Sequence, residues 1–250
     1  MIQVENFSKN YGNYNAVKDV SFTAESGSIT GLLGVNGAGK TTILKAICGL
    51  HYATEGRVLV HGIDVAENPV KVKEMIGFVS EQPAFFPSFT VKSFLNYSAK
   101  IRLGAISEEY SKKEINEAVQ NVCEQCSLQP VFYKKINELS KGYRQRLSFA
   151  QALIHNPSVI VLDEPITGLD PAQIKHMRQL IKKLSESKTI LISTHLMQEV
   201  EALCQTVHII NQGKLVASGT ANEIIEKTGC SSFEEAFLFF SEKTGASDEI

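Results

Sequence analysis

The chain has no uninterrupted apolar run near the ~18 residues that a membrane-spanning helix needs. Its longest candidates, Val159–Leu162 and Ala236–Phe240, are strand-sized or about one helical turn. No spanning segment is therefore expected. Cysteine is scarce: five residues, an odd count, with Cys123-x-x-Cys126 the only close pair. That excludes a disulfide-stapled miniprotein and fits a reducing cytosol. No second pair or nearby histidine completes a zinc set, so Cys123 and Cys126 read as two small residues one turn apart on a helix. An excess of one charge is missing too. Twenty-five basic residues face twenty-seven acidic ones, a formal net charge of −2, and no basic block points to nucleic acid. Met1 to Glu5 form neither a basic nor an apolar leader, so no secretory signal is expected.

What remains is an ordinary globular mixture. With 43% hydrophobic and 21% charged residues over 250 positions, the chain is too apolar for intrinsic disorder and long enough to bury a core. Ile2, Val4 and Phe7 read as a strand, Tyr11-Gly12-Asn13-Tyr14 as a turn, and Val17–Phe22 as a second strand. Ser28–Leu33 is a short apolar run, followed by a glycine-rich loop and a helix expected to reach Leu50. Gly56–His61 and Ile63–Val65 read as hairpin strands around His61-Gly62, and Met75–Val79 as a further strand.

From Val91 to Leu128 the period turns helical. Val91, Phe94, Leu95 and Ile101 fall on one face. Ile115, Val119 and Val122 form another, flanked by Glu108, Glu109, Lys112, Lys113 and Glu114. A helix is expected after Ser140. The strands Val159–Leu162, Thr189–Ser193 and Val207–Ile210 then alternate with helices near Pro171–Leu184 and Met197–Leu203. This alternation predicts an α/β domain with a largely parallel sheet. An antiparallel β segment precedes it, a helical segment is inserted, and 221–250 reads as a short helical tail with a polar end.

Two motifs carry chemistry. Gly34-Val35-Asn36-Gly37-Ala38-Gly39-Lys40-Thr41 matches the phosphate-loop pattern, between an expected strand and an expected helix. Its glycines let backbone N–H groups turn inward around an anion, and the helix adds its positive end. Lys40 would reach the β- and γ-phosphates, and the Thr41 hydroxyl would bind Mg²⁺. Gly34, Asn36, Gly37, Ala38, Gly39 and Thr42 complete the nucleotide-binding set. The second motif is Val159-Ile160-Val161-Leu162-Asp163-Glu164, a buried strand ending in two carboxylates. Such a strand delivers Asp163 and Glu164 to the sheet edge where ligands bind. Asp163 suits Mg²⁺, and Glu164 suits the attacking water as general base.

Leu139-Ser140-Lys141-Gly142-Tyr143-Arg144-Gln145-Arg146, upstream of Asp163, resembles the signature motif of the ABC (ATP-binding cassette) ATPases. Around it, Gly168-Leu169-Asp170 resembles that family's D-loop, and Ser193-Thr194-His195 its switch histidine. Tyr11, ahead of Ala16-Val17, resembles the aromatic that stacks on adenine. Lys141 and Tyr143 depart from the usual glycine and glutamine, in a spelling that resembles bacterial drug, antibiotic, sodium and gliding-motility export cassettes. The usual glutamine of the Q-loop falls at Glu81 or Gln82. Both are kept as Mg²⁺ candidates, with Gln82 favoured because a neutral amide adds no charge beside Asp163 and Glu164.

The resemblance covers about residues 1–220, with a helical subdomain at about 83–140, and implies a P-loop NTPase core. It implies two cassettes sandwiching two ATP molecules, with Ser140, Lys141, Gly142 and Tyr143 facing the ATP of the opposing subunit and Asp170 at the subunit contact. Lys40, Glu164 and His195 would be catalytic. The partners implied are a transmembrane permease and a second ATPase subunit, without nucleic acid, at the cytoplasmic face of the membrane. Export rests on the signature spelling. The competing reading is a soluble ABC ATPase of the translation or DNA-repair type. The single set of motifs and the absence of a heptad run between Thr42 and Leu139 argue against it. Phe85, Phe86 and Phe89 could form a docking patch or part of the core.

Overall fold

A computed structural model describes residues 1–104 and 110–242, the last of these by its backbone. Glu108, Glu109 and positions 243–250 of the tail lie outside the described residues. The N-terminal alternation builds β1 (Ile2–Tyr11) and β2 (Tyr14–Ala24), an antiparallel pair closed at Tyr11 and Tyr14. Ile2, Val4, Phe7, Val17 and Val20 point into the core, with shifts of register after Val4 and Phe7 keeping Phe7, Val17 and Val20 on the inner face. All five residues of β3 (Ile29–Leu33) are buried, as expected of a central parallel strand. After the loop comes α1 (Lys40–Ile47). It ends three residues before the expected Leu50, because Gly49 N and Leu50 N turn back to Ala46 O and Lys45 O.

β4 (Glu55–Val60) and β5 (Ile63–Asp64) join the hairpin in a four-stranded antiparallel sheet, ordered β2-β1-β4-β5. A short helix, α2 (Pro69–Met75), was not legible in the sequence: it has seven residues and buries only Val72, so it shows no period. Met75 closes that helix, and the strand β6 starts one residue later than expected (Ile76–Val79).

The helical stretch is α3 (Val91–Gly104) and α4 (Lys112–Gln125). Ser111 and Glu114 form a reciprocal capping box at the start of α4. A bridge between Thr90 and Lys135 ties the two ends of the stretch together. Cys123 lies in α4 and Cys126 caps it; both are free and buried, as two apolar-behaving residues a turn apart should be.

The chain then alternates as expected: α5 (Lys141–Leu153), β7 (Val159–Asp163), α6 (Pro171–Ser185), β8 (Thr189–Thr194), α7 (Met197–Leu203) and β9 (Thr206–Asn211). A strand that the sequence concealed, β10 (Lys214–Gly219), runs antiparallel to β9 at the sheet edge. No residue of it is fully buried, so it lacks the apolar alternation that marks a strand. The second sheet is ordered β10-β9-β3-β8-β7-β6, parallel from β9 to β6.

The tail folds into α8 (Ala221–Thr228) and α9 (Phe233–Glu242). These bury Ile224, Phe233, Ala236 and Phe237 against Leu33, Val200, Val207 and Ile209, a third core beneath β3 and β9.

Candidate functional site

β7, β8 and β3 are neighbours and end at one edge. Their register sets Leu33 beside Thr194 and Asp163 beside Ser193. Three loops therefore meet there: the one after β3 with the glycines, the one after β7 with Glu164, and the one after β8 with His195. They frame a cleft of about 640 Å³. Its walls are residues 36–42, then Tyr11, Tyr14 and Ala16 from the hairpin, and Glu81, Glu164, Thr167 and His195.

The glycine loop is shaped by its packing. Gly39, the cap of α1, has φ 106°, and a Cβ there would lie 2.8 Å from Ala16 O. No acidic residue occupies the first turn of α1, so its positive end faces the cleft uncompensated. Lys40 Nζ donates to Gly34 O at 2.7 Å and Val35 O at 3.2 Å, and lies 3.7 Å from Glu164 Oε1. Burial pulls the Lys40 ammonium below its ordinary pKa, while Glu164 and then Asp163 pull against that shift.

Thr41 Oγ1 donates to Asp163 Oδ2 at 3.1 Å. Ser193 Oγ donates to Asp163 Oδ1 at 2.5 Å. The carboxylate is thus aimed at the loop from both sides. Glu164 takes a left-handed backbone, φ 49°, which a non-glycine residue adopts at a cost. The bend is held by Glu164 N donating to Ser193 O at 3.1 Å and by Thr167 Oγ1 donating to Glu164 Oε2 at 3.0 Å. His195 Nδ1 lies 2.9 Å from Glu164 Oε2, out of line for a hydrogen bond. Glu164 Oε1 is buried with no hydrogen-bond partner.

The structure therefore brings together Asn36, Gly37, Ala38, Gly39, Lys40, Thr41, Thr42, Tyr11, Asp163, Glu164 and His195, with Gly34 beneath Lys40. Glu81 lines the cleft and Gln82 does not, so the placement goes against the preference for Gln82. The reason is the backbone path after β6, where one residue decides which side chain faces inward. Ser140, Lys141, Gly142, Tyr143 and Asp170 lie away from this cleft. Ser140 caps α5 by accepting from Tyr143 N at 3.4 Å, and Asp170 caps α6 by accepting from Gln173 N at 2.9 Å. A Cβ on Gly142 would lie 2.5 Å from Gln173 Cδ, so the missing side chain admits α6.

Thr167 and Ser193 had no role in the sequence reading. The three-residue spacing of Thr167 from Glu164 was the available signal, the same spacing that marks a turn. Of the histidines without motif context, His155 and His208 are buried and hydrogen-bonded, to Ile76 O and to Ser218 and Thr23 O. Of the three phenylalanines, Phe85 and Phe89 pack on the core. Phe86 is 46% exposed, with Phe89 and Tyr97 beside it.

Residues 17–167 match the family model described as "ABC transporter". The chain is 34% identical over 247 residues to the linearmycin resistance ATP-binding protein LnrL of Bacillus subtilis (strain 168), covering 95% of this chain and 78% of that protein. It is 37% identical over 218 residues to the bacitracin transport ATP-binding protein BcrA of Bacillus licheniformis, covering 86% and 68%. Its fold superposes on the dimeric post-hydrolysis state of the ATP-binding cassette MJ0796 bound to ADP and Pi, with TM-score 0.79 and 26% identity, covering 88% of this chain and 98% of that one. With the family model matching more than half its length and a close relative spanning nearly all of it, the chain belongs to the ABC transporter family, as an ATP-binding cassette with ATPase function.

Proposed function

We propose that this cassette powers export through a separate membrane permease, closing on ATP against a second cassette and reopening after hydrolysis. The observation that carries the reading is the meeting of Lys40, Glu164 and His195 at the mouth of the phosphate loop, within 3.7 Å and 2.9 Å of the Glu164 carboxylate. In this reading Lys40 binds the β- and γ-phosphates, releasing Gly34 O and Val35 O. Glu164 orients the attacking water and takes up its proton through Oε1, the oxygen left without a hydrogen bond. His195 stands beside Glu164 on the far side and reaches the γ-phosphate. Tyr11, 49% exposed at the cleft rim, offers a ring face to adenine.

The residues present fit a magnesium ion. Thr41 and Asp163 are paired at the loop, Glu81 stands nearby, and Gln82 is one residue away. Mg²⁺ takes few protein oxygens and several from phosphate and water, which matches so small a set. When bound, it would spread the charge developing on the phosphates.

Ser140, Lys141, Gly142 and Tyr143 stand apart from the cleft of their own chain. Their use is against the ATP of a second cassette, where the N-terminus of α5 and a hydroxyl face the open side of the γ-phosphate. The dimeric cassette MJ0796 bound to ADP and Pi supports that arrangement for a protein of this fold. The transport and resistance names of the relatives favour a transporter over a translation or repair factor, and favour export. No helix among the described residues is long and apolar enough to cross a membrane. Attachment at the cytoplasmic face would therefore run through the permease, with Phe86 and Tyr97 as its docking patch.

Steady-state turnover of the full chain tests the phosphate-loop assignment. Lys40→Ala is expected to lower ATP hydrolysis about a hundredfold or more, through loss of the central phosphate cation. Wild-type turnover in that variant would refute the assignment.

A further inference from the structure

Outside the cleft, one ion pair among the described residues has its acid withdrawn from water and its base about a third exposed. The guanidinium fork of Arg178 on α6 grips Glu199 on α7: Nη2 donates to Oε1 at 2.5 Å, and Nε donates to Oε2 at 3.3 Å. Glu199 is only 4% exposed. Glu199 gives up most of its hydration to meet Arg178, and apolar side chains would pack two helices as well. What a fork adds over apolar packing is direction and a fixed distance.

The elements it joins explain why distance matters. α6 is capped at its N-terminus by Asp170. α7 begins two residues after His195, and Glu199 N donates to Leu196 O at 3.0 Å. Leu196 N in turn donates to Thr194 Oγ1 at 3.0 Å. Glu199 is thereby fastened to the loop that carries His195, and His195 stands against Glu164. An unbroken series of contacts runs from Asp170 through α6, Arg178, Glu199 and Leu196 to His195 and Glu164. Neither Arg178 nor Glu199 lines the cleft, so neither touches nucleotide there.

We propose that Arg178 and Glu199 are positioning residues for ATP hydrolysis, whose fork between α6 and α7 sets the reach of His195 onto Glu164 and ties it to the Asp170 segment. The proposal rests on the assignment of His195 and Glu164 to hydrolysis. A series of contacts is not itself coupling, so the test measures coupling.

Arg178→Met combined with Glu199→Leu in the full chain replaces the charges with apolar volume and leaves no charge unpaired. The KM for ATP is expected to stay within about twofold of wild type, while kcat falls about tenfold to a hundredfold. Adding His195→Ala to that double variant is expected to cost no more than His195→Ala alone, because both changes act on one step. Should the apolar pair fail to fold, Arg178→Lys serves in its place. It keeps Glu199 neutralised without the fork, and a smaller fall in kcat, again without further loss on adding His195→Ala, is expected. Wild-type kcat in the folded variant, or losses that multiply with His195→Ala, would overturn the proposal. If His195→Ala alone keeps wild-type turnover, the assignment of His195 falls first and takes the proposal with it.

Discussion

Glu164 shows how one side chain is set by forces beyond its own identity. Its backbone sits at φ 49°, a strained value for a residue with a Cβ, and holds there because Ser193 O and the Thr167 hydroxyl each fix one side of the bend. The bend turns the carboxylate from the strand direction toward Lys40. A neighbouring carboxylate, Asp163, is directed differently by Thr41 and Ser193. Two adjacent acids are thus separated into two environments, the condition under which one binds a cation and the other handles a proton. At the same scale, Glu81 and Gln82 make opposite predictions. Glu81 lines the cleft and helps hold the Lys40 ammonium charged; Gln82 faces elsewhere. Glu81→Ala is therefore expected to reduce Mg²⁺-dependent turnover about tenfold, with Gln82→Ala near wild type. Turnover assays on both variants at saturating ATP decide it, and the reverse ranking would return the role to Gln82.

Among the elements, those that end at the cleft are buried parallel strands, and the sheet register alone aligns their ends. The edge strand β6 is held from below by His155, just past α5, whose Nε2–H donates to Ile76 O at 3.1 Å. Burial, aided by Arg102, pushes the pKa of this histidine down to about 4 from 6.5. The folded chain therefore holds His155 neutral, while the unfolded chain takes up a proton as pH falls through 6.5. The stability involved is fully present above that value and is lost as pH drops toward 4, on the order of 2 kcal/mol by about pH 5. His155→Gln, which keeps a donor for Ile76 O but cannot titrate, is expected to flatten the loss. Urea midpoints at neutral and acid pH would show it, and equal slopes in both proteins would contradict it.

Elements also show where reading the sequence works and where it stops. β3, α1, β7 and β8 were legible because the strands carry short, mostly apolar runs and the loop before α1 carries glycine and lysine in a spacing with one chemical use. α2 and β10 were not, since one buries a single residue and the other none fully. Short elements at an edge take their conformation from the neighbour they pair with, and that neighbour is remote in sequence. Thr167, Ser193 and the Arg178–Glu199 fork were hidden for the same reason: ordinary residues gain a use only from what the fold brings beside them. Which of Glu81 and Gln82 lines the cleft turns on one residue of backbone path, which composition does not encode.

At the scale of the whole molecule, the proposed pairing would give the cassette one half of each of two different ATP sites. Its cleft supplies Lys40, Thr41, Glu164 and His195, with Asp163 bonded to Thr41 behind it, but not the residues of the signature, which start α5 elsewhere on the surface. A second cassette facing the first would complete both sites at once. ATP would then act as part of the interface, and hydrolysis would release it. Glu164→Gln keeps the phosphate loop and removes the proposed general base, so the variant is expected to bind ATP, fail to hydrolyse it and stay closed. Sizing that variant by light scattering with ATP and Mg²⁺ is the most direct test. The expected result is a species of twice the 27.5 kDa chain that reverts to monomer when nucleotide is removed. A persistent monomer with ATP bound would contradict the account.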